Sequence, residues 1–190
     1  MKIYHLNAPG PYFTNSFLII SEAGHAAIID ACAAPEQYLA VLNKEGATLS
    51  MILQTHGHFD HVGAIEPLRQ ATGAKVYLNA ADARQFGIHA DENLTDRMKI
   101  VLDELTFEVI TTPGHTPGSV CIRMGDLLFT GDTLFAGDIG RTDLEGGSYT
   151  EICNSLKKLL DRVEGDPQVL PGHEEFSTFE TEKQTNHYLR

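Results

Sequence analysis

Nine histidines occur in this 190-residue chain, and three of them crowd into one place. The run Thr55-His56-Gly57-His58-Phe59-Asp60-His61 sets three imidazoles and a carboxylate within six positions. At this composition, an HxHxDH pattern arises by chance in a chain of this length with a probability on the order of 10⁻³, so coincidence competes weakly. Imidazole mixed with carboxylate suits zinc, iron or manganese better than calcium, which takes oxygen ligands. Residues two apart in extended backbone point to the same side, so His56 and His58 can converge on one metal. Asp60 and His61 fall where the next helix begins and can turn toward a second metal. The N-terminus of that helix favours an anion such as a metal-bound hydroxide. The spacing is not the HExxH of a zinc-protease helix, and that mechanism is not implied.

Three further pieces each follow a run that reads as a strand. Pro113-Gly114-His115-Thr116-Pro117-Gly118-Ser119 holds a histidine in a loop shaped by Gly and Pro. Phe129-Thr130-Gly131-Asp132-Thr133 holds an aspartate, and Leu170-Pro171-Gly172-His173-Glu174 another histidine. A lone histidine at a strand end is more often a surface or core residue than a ligand. Together, however, these pieces bring the ligand-type side chains to seven, enough for two metals sharing one bridging group.

The elements that must position these groups follow from hydrophobic periodicity. Lys2–Leu6 alternates as a strand, and Asn7–Pro11 breaks it. Ser16–Ser21 and His25–Ala31 are apolar runs joined as a hairpin, the second reaching Asp30 at the sheet edge. Pro35–Glu45 is spaced as a helix, with Pro at its start and Gly46 as its stop. Leu49–Gln54 and Lys75–Asn79 read as strands, with a helix over His61–Ala71 between them. Ala80–Leu105 carries mixed helical signal and yields no clear element. Thr106–Thr111, Ser119–Met124 and Asp126–Thr130 read as strands, the last two turning at Gly125. Ser148 is the expected N-cap of an amphipathic helix over Tyr149–Val163. A short strand over Gln168–Leu170 and a helix over Thr178–Leu189 end the chain. Strand runs separated by a few helices predict mixed sheet packed under helices in one domain, residues 1–190.

Composition narrows the function. Apolar residues make up 42% and charged residues 21%, which is globular rather than disordered. The net charge of −12 argues against nucleic acid and against an anionic membrane surface as partners. Cys32, Cys121 and Cys153 show no CxxC spacing, and an odd count makes a poor disulfide framework. Reduced thiols, no signal-peptide pattern and no apolar run near the roughly 20 residues of a membrane span predict a cytoplasmic protein.

In their order, the strand pair ending at Asp30, THGHFDH, GHTPGS, GDTLF, GRTD and PGHE resemble the metallo-beta-lactamase-fold hydrolase superfamily over essentially the whole chain. The resemblance implies an α+β fold, a four-layer αβ/βα sandwich of two mixed sheets flanked by helices, with the site at one sheet edge. It implies two divalent metal ions, zinc foremost with iron or manganese as alternatives. It assigns His56, His58 and His115 to one metal and Asp60, His61 and His173 to the other, with Asp132 bridging. GHTPGS, FTGDTLFAG and GRTDLEGG are similar to the glyoxalase II-like group, the hydroxyacylglutathione hydrolases. That group's larger members add a C-terminal helical domain carrying basic glutathione-binding residues, whereas only Glu174–Arg190 follows His173 here.

The expected function is therefore hydrolysis of a small-molecule thioester such as an acylglutathione by a metal-bridging hydroxide, with Asp60 and Asp132 as catalytic groups. The alternative is a mononuclear iron persulfide dioxygenase using His56, His115 and Asp132, or a hydrolase of another ester or a lactone. Arg141 is a candidate for binding a substrate carboxylate, against the plainer reading of an ion pair with Asp143. Asp30 could orient a ligand imidazole or simply cap local backbone. Phe13, Phe59 and Phe135 could line a pocket, and Thr55 and Thr116 would hold backbone near the metals. His5, His25, His89 and His187 lie outside the motifs and read as surface or turn residues.

Overall fold

The computed structural model describes residues 1–190. Strands β1 (Lys2–Asn7), β2 (Asn15–Ile20), β3 (His25–Ile29), β4 (Thr48–Leu53), β5 (Lys75–Leu78) and β6 (Glu92–Asn93) form one sheet in chain order. The first three run antiparallel, and β3 through β6 run parallel. Parallel neighbours need crossovers. These are helix α1 (Pro35–Glu45), then the pair α2 (Phe59–Val62) and α3 (Ile65–Thr72), then α4 (Ala80–Gln85). The second sheet contains β7 (Lys99–Leu102), β8 (Leu105–Thr111), β9 (Val120–Met124), β10 (Leu127–Gly131), β11 (Gln168–Pro171) and β12 (Ser177–Thr178). Its one parallel pair is β10 with β11, bridged by α5 (Tyr149–Arg162). Helix α6 (Phe179–Thr185) and a 3₁₀ turn at His187–Leu189 complete the chain.

Alternation along the strands builds the layers. In β2, Phe17 and Ile19 face the second sheet, where they meet Phe107, Val109, Ile122 and Phe129. Leu18 and Ile20 face the other way, onto Tyr38 and Leu42 of α1 and Ile65 and Leu68 of α3. The outer face of the second sheet presents Ile110, Leu128 and Val169 to Leu156 and Leu159 of α5 and Phe179 of α6. Strands covered on both faces read as continuous apolar runs, as in Phe17-Leu18-Ile19-Ile20. The expected αβ/βα sandwich is the observed architecture. No helix is long and apolar enough to cross a membrane.

Three stretches differ from the sequence reading, two of them through side-chain hydrogen bonds. The helix expected over His61–Ala71 starts at Phe59 and breaks after Val62. Its ladder fails because Gln54 Nε2 donates to the His61 carbonyl at 2.9 Å, and Ala64 N donates to Ala31 O at 2.8 Å. The helix expected over Thr178–Leu189 breaks at Asn186, whose side chain accepts from Tyr188 N and donates to Asp138 O and Glu182. The Ala80–Leu105 stretch resolves into α4, β6 and β7. Asn79 caps α4 by accepting from Ala81 N, and Ser148 caps α5 by accepting from Glu151 N as the sequence predicts.

Tyr38 ties the first helix to the edge that carries the site. Its fully buried hydroxyl lies 2.6 Å from Ser16 Oγ on β2 and accepts from Ala33 N at 3.0 Å, just beyond Asp30. Burial pushes its phenol pKa up, so it stays protonated. Tyr38→Phe leaves Ala33 N–H without its acceptor and is expected to lower unfolding free energy by about 1–2 kcal/mol in urea titration. An unchanged midpoint would show that this bond is dispensable.

Candidate metal centre

Strands running in one direction deliver their C-terminal ends to one edge of the sandwich. Strand β3 ends just before Asp30 and β4 ends before His56 and His58. Strand β10 ends just before Asp132, and β11 two residues before His173. Strand β8 is antiparallel to β9, which is antiparallel to β10, so the loop after β8 brings His115 to the same edge. Adjacent strand ends are stitched together: Gly172 N donates to Gly131 O at 2.9 Å, and Asn15 N donates to Gly172 O at 2.7 Å. A Cβ on Gly172 would sit 2.3 Å from Asp132 Oδ1, so this loop reaches the cluster only because residue 172 is glycine.

All seven sequence-predicted ligand residues meet there. His56, His58 and His115 form one group, and Asp60, His61 and His173 another, with the ligand atoms within each group no more than 4.8 Å apart. Asp132 lies between them: Oδ2 is 3.3 Å from His115 Nε2 and 3.5 Å from His173 Nε2, and Oδ1 is 3.4 Å from His61 Nε2. His58 Nδ1 faces His115 Nε2 at 2.8 Å, and His61 Nε2 faces His173 Nε2 at 3.3 Å. Converging ring nitrogens suit a shared cation. Buried His56 Nε2 and Asp132 Oδ1 have no hydrogen-bond partner, a situation that costs about 1–3 kcal/mol per group unless something binds them. The residues therefore fit metal ions.

The opposite ring nitrogens are held in the tautomer that ligation requires. His61 Nδ1 donates to Asp30 Oδ2 at 3.0 Å, His115 Nδ1 to Arg141 O at 2.7 Å, and His173 Nδ1 to Tyr12 O at 3.1 Å. Asp30 also accepts from Thr55 N and Thr55 Oγ1, both at 2.7 Å, with its own backbone at φ +54. It thus orients an imidazole and braces the β4 end together. Thr55 Oγ1, its proton given to Asp30, lies 3.1 Å from His56 Nδ1.

Two supporting residues escaped the sequence reading. Asp82, fully buried on α4, accepts from Gly57 N at 2.9 Å, Thr116 Oγ1 at 2.7 Å and Gly118 N at 2.6 Å. It clamps the loop of His56 and His58 to the loop of His115. The only local signal was an acidic residue three places after Asn79, in the stretch with the least readable periodicity. Asn15 does similar work for His173, its amide donating to Pro171 O and Glu174 O at 3.0 and 3.2 Å.

Electrostatics divide the two groups. Burial, reinforced by neighbouring imidazoles, pushes His56 well below the usual histidine pKa and His58 down to about 4. Burial also acts to lower His61, but the Asp132 and Asp30 carboxylates outweigh it and raise the pKa to about 10. Burial works to raise Asp60 and Asp132; the hydrogen bond from His173 to Asp60, and the charge of His61 beside Asp132, keep both below the ordinary carboxylate value.

An open cavity of about 590 Å³ lies over the cluster, lined by His58, Asp60, His115, Asp132 and His173 together with Tyr12, Phe59, Phe135 and Arg141. Phe59 and Phe135 line it as the sequence suggested; Phe13 points elsewhere, with Tyr12 in its place. Arg141 reaches the cavity, but its guanidinium makes a bidentate pair with Asp143, both bonds 2.8 Å. His5, His25, His89 and His187 stay outside the ligand groups.

Residues 9–173 match the metallo-beta-lactamase superfamily. Hydroxyacylglutathione hydrolase GloC of Haemophilus influenzae is 34% identical over 195 residues, covering 92% of each chain. The crystal structure of ETHE1 from Myxococcus xanthus superposes with a TM-score of 0.88 at 29% identity, over 98% of this chain and 84% of that one. TTHA1623 in a di-iron-bound form superposes with a TM-score of 0.84 at 34% identity, over 98% of this chain and 100% of that one.

Two measurements test this arrangement. In metal-free protein at pH 7, imidazole ¹⁵N shifts are expected to show His61 as imidazolium and His56 and His58 as neutral. Added zinc should turn His61 neutral, because a ligand must give up its proton. A neutral His61 before zinc contradicts the ion-pair account. Asp82→Asn sets an amide against three donors and should weaken metal at His56, His58 and His115 by about 10–100-fold, with less effect at Asp60, His61 and His173. Competition against a chromophoric chelator reads both constants; two unchanged constants would remove Asp82 from the support.

Proposed function

Because the chain belongs to the metallo-beta-lactamase superfamily, we propose that it is a metal-dependent hydrolase that cleaves a thioester of the acylglutathione type. The observation that carries this reading is the second ligand group. The ligand atoms of Asp60, His61 and His173 lie within 4.8 Å of one another, as those of His56, His58 and His115 do, so the chain offers a donor set for a second ion beyond the His56, His115 and Asp132 that a mononuclear oxygenase would need. The similar GloC bears the name hydroxyacylglutathione hydrolase, and the similar TTHA1623 holds two irons. Zinc is the first choice here, with iron and manganese compatible with the same donors.

His56, His58 and His115 would hold one ion, Asp60, His61 and His173 the other, and Asp132 would serve both. Bound divalent ions supply an acidified water as nucleophile and a Lewis acid for the carbonyl oxygen. The chain's own residues do the rest. Asp60 Oδ2 accepts from Thr14 Oγ1 at 3.1 Å, which fixes the carboxylate at the cavity floor. Held ionised by the hydrogen bond from His173, Asp60 stays a negative oxygen donor that can orient the attacking water. His58, kept neutral, cannot serve as an acid at neutral pH. A thiolate needs little proton assistance to leave, since thiols have a pKa of about 8.5. A thioester therefore asks of this site only what its residues provide.

Asp60→Asn keeps the shape and loses the charge. The expected result is a loss of kcat of about 100-fold or more with a smaller change in KM, because nucleophile activation acts on the transition state. Thioester cleavage should be followed anaerobically, beside oxygen uptake with glutathione persulfide and metal content per chain. One iron per chain, oxygen uptake and no anaerobic cleavage would replace the hydrolase with the dioxygenase.

A further inference from the structure

Two large aromatic side chains stand in solvent at the mouth of the cavity. Phe59 is 67% exposed and Tyr12 is 52% exposed, and their rings meet edge to face with centroids 5.1 Å apart. Neither ring is spare core: both border the same cavity as the ligand side chains. Both are also tied to those ligands through backbone. Phe59 lies between His58 and Asp60 in the first turn of α2, and the Tyr12 carbonyl accepts from His173 Nδ1. Phe135 continues the apolar side, its ring 6.3 Å from that of His173.

Pro11, Ile139 and Leu144 add to the apolar lining, and the charged groups of the rim are acidic or already paired. Arg141 is the only lysine or arginine lining the cavity, and Asp143 occupies its guanidinium. Asp138 and Glu174 add negative charge. A rim of this kind has little to offer a carboxylate on the acyl group, but it offers a ring pair to an apolar one. Ligand cavities combine an apolar wall with a few polar groups that fix orientation, and aromatic rings favour the edge-to-face contacts this pair leaves open.

We infer that the Tyr12–Phe59 pair is the acyl-recognition surface of this enzyme and selects an apolar, aromatic acyl group over a small or hydroxylated one. The inference rests on the thioesterase reading for its reaction, while the contact surface itself is testable without turnover. Docked there, the acyl group lies beside Asp60 and His173, and the thiol portion extends toward Arg141.

The test uses acetyl, lactoyl and phenylacetyl thioesters of one neutral thiol, N-acetylcysteamine, with the metal-loaded protein. The phenylacetyl ester is expected to show kcat/KM about 10-fold or more above the acetyl ester, mostly through KM, as burial of one ring in an apolar site predicts. In Tyr12→Ala and in Phe59→Leu that ratio should fall to about threefold or less. In metal-free protein, phenylacetamide should bind about 10-fold more tightly than acetamide by NMR titration, shifting Tyr12 and Phe59 ring signals. Turnover of all three esters at one rate, with no ring-signal shift, overturns the acyl surface and leaves the thioesterase standing. Phenylacetamide binding at both rings without cleavage of any thioester keeps the surface and overturns the thioesterase.

Discussion

A buried carboxylate among imidazoles is the constraint on which the rest of this structure depends. Asp132 sits within 3.5 Å of ring nitrogens of His61, His115 and His173, and one of its oxygens has no hydrogen-bond partner. Such a group is tolerable only if cationic charge is supplied nearby. Without metal, His61 supplies it as an imidazolium; with metal, the ion does. The parallel pairing of β10 and β11 follows from the same need, because it sets Asp132 and His173 on neighbouring strand ends.

Each ligand group draws on both sheets. His56 and His58 leave the first sheet and His115 the second; Asp60 and His61 leave the first and His173 the second. Ions bound there would cross-link the sandwich at its open edge, and their binding free energy would add to folding. Three polar side chains prepare that edge beforehand. Asp30 braces His61 and the end of β4, Asp82 joins the His56–His58 loop to the His115 loop, and Asn15 holds the His173 loop. Asp30 does this from a left-handed backbone conformation, which few residues other than glycine, asparagine and aspartate adopt readily.

The candidate ligands were legible because their chemistry is rare and local: HxHxDH carries its own spacing, and each of Asp132, His115 and His173 follows an apolar strand. The layers were legible for a related reason, since strands covered on both faces leave runs such as Phe17–Ile20. What periodicity could not reveal are elements ended by distant partners. Nothing near His61 states that Gln54 captures its carbonyl, and nothing near Asp82 states that its oxygens meet Gly57 and Gly118. Arg141 illustrates the same limit. Its type and loop fit an anion site, and only the fold shows how completely Asp143 occupies it.

Charge then separates metal recognition from substrate recognition. A chain of net charge −12 that gathers Asp60 and Asp132 at one sheet edge creates a field attractive to divalent cations. The same field disfavours multiply charged organic anions approaching the rim, where Asp138 and Glu174 stand unopposed by a free lysine or arginine. Screening confines that effect to about 8 Å from the rim at physiological ionic strength but does not reverse its sign. Non-directional apolar contact is insensitive to this field. At a mouth of this composition, exposed rings could therefore discriminate between substrates without competing with the electrostatics that would hold metal ions.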